Sequence, residues 1–189
     1  MKSLLRIPLT LAAAAAFGLG CGSEDTLPEL VLGEEELVNA AINGLKGDAA
    51  VQWWKVREEL NKYKDVDVAR ADGYIPVSPC EEIPGQGGMG IHFLNPALGG
   101  DLVSDPFKPE ILLYVPDEEG GFTLAGVEYF QADVGQPAPS LVGQTFDGPM
   151  TGHSPEMPIH YDLHVWLYRY NDTGLFSIWN PRLTCPAQQ

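Results

Sequence analysis

The chain has four histidines, and each of the three methionines after Met1 stands three residues before one of them: Met89-Gly-Ile-His92, Met150-Thr-Gly-His153 and Met157-Pro-Ile-His160. The fourth histidine, His164, follows His160 by four residues. Thioether sulfur holds Cu(I) and imidazole holds copper in either oxidation state, so these residue types point to a copper site, with zinc as the alternative ion. The plainer alternative is that methionine and histidine simply pack in a core and flank turns.

Local geometry decides which histidines could share an ion. On a helix, His160 and His164 would lie on one face about 6 Å apart. But His160-Tyr161-Asp162-Leu163-His164-Val165-Trp166-Leu167-Tyr168 alternates and is rich in β-formers, and Pro158 precedes it. As a strand it puts His160, Asp162 and His164 on one face. The two histidines are then about 13 Å apart at roughly 3.3 Å per residue, too far for one ion without a bulge. A cross-strand site is therefore expected, made of one of these histidines, His92 from its own strand, and a carboxylate. Glu128, between Val127 and Tyr129, is the carboxylate candidate, because a charge in mid-strand should be paired or coordinated. The alternative is a solvated outer-face glutamate. The candidate ligand set is His92, Glu128, His160 and His164, with Asp162, His153, Met89 and Met157 as supporting or alternative ligands. Asp162 could orient an imidazole.

The same residues could instead serve general acid–base catalysis, since histidine titrates near neutrality. No nucleophile is marked: there is no G-x-S-x-G, no reactive-cysteine context and no phosphate loop. Ser154 beside His153 is a weak signal. Gly85, Gly87, Gly88 and Gly90 could let backbone approach a ligand closely, but the stretch does not join a strand to a helix, and a flexible turn is the simpler expectation. Trp166, Tyr168, Tyr170, Phe176 and Trp179 could line a pocket or a carbohydrate platform, or belong to the core.

The elements that must position these residues fall into two blocks. From Glu34 to about Asp72 the pattern is helical. Leu37, Ala40, Ala41, Ile42 and Leu45 form one stripe. Gly47 interrupts, Asp48 is placed to cap the next helix, and Val51, Trp54, Val56, Leu60 and Tyr63 can form its apolar face. Trp53 and Trp54 should pack that helix on the rest of the domain. A short helical turn, residues 66–71, ends at Gly73. Beyond Gly73, Pro, Gly, Val and aromatics dominate. Residues 90–94 read as a strand, and 110–116 with 122–132 as a hairpin around Asp117-Glu118-Glu119-Gly120-Gly121. Residues 160–170 read as the longest strand, with 171–174 as a turn and 175–179 as its hairpin partner. Residues 137–158 hold five prolines and read as a long surface loop. The fold class is α+β: N-terminal helices packed on a mostly antiparallel sheet, in a single domain over 34–189.

Residues 1–20 read as an export signal. Lys2 and Arg6 precede an apolar run from Leu9 to Leu19, which is shorter than the roughly 20 residues a spanning helix needs. Gly18-Leu19-Gly20-Cys21 resembles a bacterial lipobox, although Gly18 stands where a large aliphatic residue is usual. The resemblance implies lipidation of Cys21, a tether over 21–33, and anchoring at the cell envelope facing outside the cytoplasm. An ordinary signal peptide cleaved nearby is the alternative. Removing 1–20 leaves nine Lys and Arg against 26 Asp and Glu, a net charge of −17. Such a chain is ill suited to nucleic acid, and anionic headgroups would repel it, so lipid would have to supply the membrane contact. With Cys21 lipidated, Cys80 and Cys185 remain. In an oxidising compartment they are expected to pair, stabilising the chain by roughly 4 kcal/mol on the chain-entropy model. Free thiols or thiolate ligands are the alternatives.

Several longer motifs occur together: Gly87-Gly-Met-Gly-Ile-His92 with Asn95-Pro96-Ala97, Glu110-Ile-Leu-Leu-Tyr114, Val127-Glu-Tyr-Phe130, Phe146-Asp-Gly-Pro-Met150, His160-Tyr-Asp-Leu-His-Val-Trp166, and Trp179-Asn-Pro181 with Cys185. From about Tyr63 to Cys185 the chain resembles an uncharacterised family of secreted bacterial proteins. The resemblance brings no activity with it. It implies that His92, Glu128, His160, Asp162, His164 and the two cysteines belong together. Three functions remain open on the sequence: a metal-binding lipoprotein, an envelope enzyme using a His/Asp/Glu site on a small molecule, and a structural or interaction module without metal.

Overall fold

Successive side chains of a strand point to opposite faces of its sheet, so the alternation in His160–Val165 demands two different environments. The computed structural model describes residues 32–117, 119–152 and 157–186 and supplies both. The export signal, most of the tether with Cys21, and also His153 and Ser154 lie outside the described residues.

In chain order the elements are α1 (Glu34–Asn43), α2 (Ala49–Leu60), a 3₁₀ turn (Asn61–Lys64), α3 (Val66–Ala71), β1 (Ile75–Pro76), β2 (Glu81–Ile83), β3 (Gly87–Leu94), β4 (Ile111–Pro116), β5 (Phe122–Ala132), β6 (Ser140–Leu141), β7 (Gln144–Thr145), β8 (Asp147–Met150) and β9 (His160–Val165). The main sheet has the order β1-β3-β4-β5-β9-β8 and is antiparallel throughout; β2 pairs with β3 beside β1, and β6 and β7 form a separate ribbon. This is the expected α+β architecture. No helix among the described residues is long and apolar enough to cross a membrane.

One face of the sheet is closed by the helices. Val38 and Ile42 of α1 and Trp53, Val56 and Leu60 of α2 meet Phe93, Leu112, Val127, Tyr129, Leu163 and Val165 in one buried cluster. The inward face of α2 is thus Trp53-Val56-Leu60, at i, i+3 and i+7. The expected face carried Val51 and Trp54, but Val51 is 56% exposed and Trp54 is half-buried. Trp53 wins the inner position because its ring meets Tyr129 and Phe176, at centroid distances of 6.1 and 5.6 Å. Trp54 stays at the rim, where its Nε1 donates to Asn43 Oδ1 at 2.9 Å. Asp48 stands at the N-cap of α2 without making a side-chain cap bond, whereas Asp65 accepts from Asp67 N at the start of α3.

Among the described residues no helix packs on the other face. Its apolar part is Ile111, Leu113, Ala125, Phe130, Trp166 and Leu183, with Leu94, Met157 and Cys185 at the margin. The C-terminal segment covers it. Gly88 and Asn180 exchange both backbone hydrogen bonds, each at 3.0 Å, and Cys185 is disulfide-bonded to Cys80 with a Cα–Cα distance of 5.7 Å. Gly85 lies in the turn between β2 and β3, while Gly87, Gly88 and Gly90 belong to β3, where the chain's own C-terminal segment approaches Gly87 and Gly88 closely. A Cβ on Gly87 would lie 2.1 Å from Asn180 O, and one on Gly88 would lie 2.5 Å from a Leu183 methyl.

Three further expectations are corrected. The strand from His160 ends at Val165, and β5 is longer. Beyond Val165 the amides of Tyr168 and Arg169 both donate to Ala125 O, at a bulge in the β4–β5 ladder, which turns the chain off the sheet. Residues 175–179 then form no strand: Trp166 N donates to Leu175 O, and the side chains of Asn171 and Asn180 bond the carbonyls of Trp179 and Tyr170 instead of a ladder. The proline-rich segment contributes β8, an edge strand on β9, as well as loop. The aromatic run 166–179 mostly packs inward: Trp166 is fully buried, and Tyr168, Tyr170 and Phe176 lean on the helical-side core.

Candidate metal centre

On the face without helices, β9 presents His160, Asp162 and His164, all buried, while Tyr161, Leu163 and Val165 face the helical side. Glu128 stands directly opposite His164 in the β5–β9 ladder, and Ile111 of β4 stands opposite Glu128. His92 comes from β3, opposite Leu113. His92 and Glu128 therefore reach toward each other over β4, which offers only apolar side chains there.

One ligand atom from each of His92, Glu128 and His164 lies within 4.8 Å of the other two, and all three residues are buried. Glu128 Oε2 is 3.4 Å from His92 Nε2 and 3.6 Å from His164 Nε2. Two atoms bound at about 2.0–2.1 Å to one tetrahedral ion stand about 3.4 Å apart, so the spacing suits a shared ion. It is too long for hydrogen bonds. Accordingly, Glu128 Oε2 and both ring nitrogens of His164 are buried without a hydrogen-bond partner, as is Asp162 Oδ1. Buried polar atoms in that state are rare and costly. Here four of them form two pairs on either side of the His164 ring, Nε2 facing Glu128 Oε2 and Nδ1 facing Asp162 Oδ1.

Asp162 lies between two imidazoles, with Oδ1 3.6 Å from His164 Nδ1 and Oδ2 3.5 Å from His160 Nε2. This is the supporting position expected of it. His92 is held from behind by Ser78, whose Oγ is 2.9 Å from Nδ1, with Glu81 Oε1 at 3.7 Å. Ser78 and Glu81 were not legible as site residues in the sequence; their one signal is that they flank Cys80. Solvent comes nearest on this side, where the Glu81 side chain is 24% exposed and that of His92 9%, against 2% and 1% for Glu128 and His164.

The electrostatics follow from burial. Desolvation pushes the Glu128 carboxyl up to about 7, against the pull of His164. Burial drives His164 down, but Glu128 and Asp162 outweigh it and hold the imidazole above its ordinary range. Burial also drives Asp162 up; the His160 and His164 imidazoles beside it win and leave it well below the carboxylate range. His160 follows the same logic as His164: burial lowers it, and Asp162 with the Pro158 carbonyl raises it further. The cluster thus holds carboxylates against imidazoles in a dry site, where a proton or a metal ion must balance the charge.

Of the residues singled out in the sequence, His92, Glu128 and His164 converge, with Asp162 behind His164. His160 is one step further along β9: its Nδ1 is 3.0 Å from Pro158 O, and its ring stacks on Phe130 at 5.0 Å. It stands outside the three-residue group. Met157 packs among the apolar side chains of this face, and Met89 is fully buried on β3. Two surface clefts, one beside Tyr63, Asp72 and Asn95 and one beside Trp54, Arg57 and Lys64, contain none of these residues. Comparison with family models, curated proteins and solved structures finds no match for this chain.

Proposed function

We propose that the protein is an exported, lipid-anchored metal-binding protein whose centre at His92, Glu128 and His164 takes one divalent ion, copper ahead of zinc. The observation that carries the metal reading is the convergence of three buried ligand atoms from three strands, with Glu128 Oε2 and His164 Nε2 lacking any hydrogen-bond partner. A divalent ion would balance the charges of Glu128 and Asp162 together; Cu(I) would balance only one. Copper is preferred on chemistry: nitrogen and oxygen donors bind Cu²⁺ most tightly among the common divalent ions. The methionines do not enter this argument, because the grouped donors are imidazole and carboxylate.

The Cys80–Cys185 disulfide belongs in an oxidising compartment. That supports placing the chain outside the cytoplasm, and the apolar leader with Cys21 supports a lipid tether there. An enzyme built on the same centre is the second reading. Three protein ligands leave a tetrahedral ion one position for water or substrate, and the His92 side of the site is the nearest to solvent.

The test is elemental analysis of the chain purified without a histidine tag and offered copper and zinc in equal amounts. One equivalent of metal, mainly copper, lost in folded His92→Ala and His164→Ala, is expected. A folded wild-type chain that retains no metal would overturn the reading. Retained zinc alone would overturn the preference for copper.

A further inference from the structure

The position of the disulfide suggests how the centre is controlled. Ser78 Oγ makes three contacts: 2.8 Å to Pro79 O, 3.1 Å from the His92 amide, which donates to it, and 2.9 Å to His92 Nδ1. A hydroxyl has one hydrogen, and a carbonyl can only accept. With that hydrogen on Pro79 O, the contact to the ring is made by an Nδ1–H donating to Oγ. The lone pair of His92 is then on Nε2, the nitrogen facing Glu128 Oε2. Ser78 thus selects the tautomer a metal needs, the usual task of a group that bonds the far side of a ligating imidazole.

The segment around Ser78 lies along β3: Ile75 and Pro76 of β1 pair with Leu94 and Phe93, Val77 N donates to His92 O at 2.9 Å, and the three residues of β2 pair with β3 across a bulge. Ile75, Val77 and Ile83 are exposed. Two further ties are at Cys80 and Glu82: the disulfide to Cys185, and Cys185 N donating to Glu82 Oε2 at 2.7 Å. Both lead to the C-terminal segment.

We propose that Ser78 is the positioning residue of His92 and that the Cys80–Cys185 disulfide holds it there, so that the metal affinity of the centre depends on the thiol–disulfide state of the chain. This rests on the metal reading above. A dithiol reductant would attack one sulfur, form a mixed disulfide and close to its own disulfide; two electrons and two protons pass to the chain, which is left with two thiols. The freed segment no longer fixes Ser78 on Nδ1, and His92 loses its preferred tautomer. A chain with this coupling takes up metal tightly only after oxidation, and so not in a reducing compartment before export.

Zinc is the probe, because it has no redox chemistry with thiols. Zinc affinity is measured by competition with a chelating indicator on the full chain and on Ser78→Ala, Ser78→Thr and Cys80→Ser/Cys185→Ser. Ser78→Ala should weaken zinc about 10- to 100-fold with the disulfide intact, and Ser78→Thr should restore it. The cysteine variant should weaken zinc similarly, and adding Ser78→Ala to it should cost little more, because both act through one contact. The reciprocal effect is read on the wild-type chain, which needs no variant to fold. Zinc should make the disulfide harder to reduce, by about 30 mV for each tenfold of coupling. Wild-type affinity in Ser78→Ala, or a disulfide potential indifferent to zinc, would overturn the proposal. A wild-type oxidised chain that binds no zinc would instead sink the metal reading beneath it.

Discussion

The two faces of the central sheet are made from the same strands and are both buried, yet they are closed in different ways. The helical face meets α1, α2 and α3 through apolar side chains, and Trp53, Tyr129 and Leu163 pack in one cluster in which Trp53 Nε1 is the one buried side-chain polar atom without a hydrogen-bond partner among the described residues. The other face meets an irregular segment through a Gly88–Asn180 bridge and a disulfide, over a patch of carboxylates and imidazoles. Burial alone therefore does not measure how settled a surface is. The apolar face gains by excluding water. The polar one loses hydrogen bonds to water that nothing in the chain fully replaces, and an ion would supply what is missing.

This contrast can be broken most strongly on the helical side. Trp53→Ala should cost about 3–5 kcal/mol in denaturant unfolding, because it empties a site shared by helix and sheet. The fraction that remains folded should bind metal as wild type does. Impaired binding in that fraction would mean the two faces are not independent.

Metal itself should act next most strongly, and only through the polar face. A free concentration a hundredfold above Kd should add about 2.7 kcal/mol to unfolding stability, read as a rise in Tm. Glu128→Gln should abolish that gain. An equal metal-induced rise in Glu128→Gln would place the ion elsewhere.

The third effect is on pH. Desolvation raises Glu128, and likewise Glu110, from the ordinary 4.5 to about 7. Between those values the folded chain holds more protons than the unfolded one. The stability these groups contribute is therefore full below about 4.5 and is lost as pH rises through about 7. His164, also raised, acts in the same direction at the upper end of that window. Metal requires an ionised carboxylate and neutral imidazoles, so its contribution should grow over the same range. Tm measured from pH 5 to 8 should fall without metal and fall less, or rise, with it. Glu110→Gln should flatten part of the metal-free slope and leave the metal response intact. A metal-free Tm that climbs across this range would contradict the assignment.

The smallest effects should come from the methionines. Met89→Leu and Met157→Leu keep volume and should each cost less than about 1.5 kcal/mol, with metal affinity unchanged. A loss of affinity in either would return sulfur to the ligand set.

How much of this was legible in the sequence follows from which rules are local. The β4–β5 hairpin was, because Gly120 and Gly121 mark the turn and Asp117 Oδ1 accepts from the Glu119 and Gly121 amides. So was the idea of a cross-strand site joining His92, Glu128 and one histidine of β9, because alternation there keeps His160 and His164 too far apart to share an ion without a bulge. Which of the two faces Glu128 was not, since register decides it and sets Glu128 opposite His164. The Cys80–Cys185 pairing followed from counting. The choice of Trp53 over Trp54 was not legible, since both neighbours are apolar and only Tyr129 and Phe176 decide between them. The end of β9 depends on a bulge at Ala125, about 40 residues earlier in the chain. The methionine–histidine spacing is a pattern in the sequence that the grouping of His92, Glu128 and His164 does not use. Three-residue offsets do not keep two side chains on one face of a strand, and proline and glycine break the segments in which they occur.

One ion held by His92, Glu128 and His164 underlies all of these expectations. The most direct measurement is X-ray absorption at the metal edge of the loaded chain, for copper and for zinc. Two imidazole nitrogens and a carboxylate oxygen in the first shell, with one imidazole lost in each of His92→Ala and His164→Ala, are predicted. Sulfur scattering in the first shell, or a spectrum unchanged by both substitutions, would contradict it.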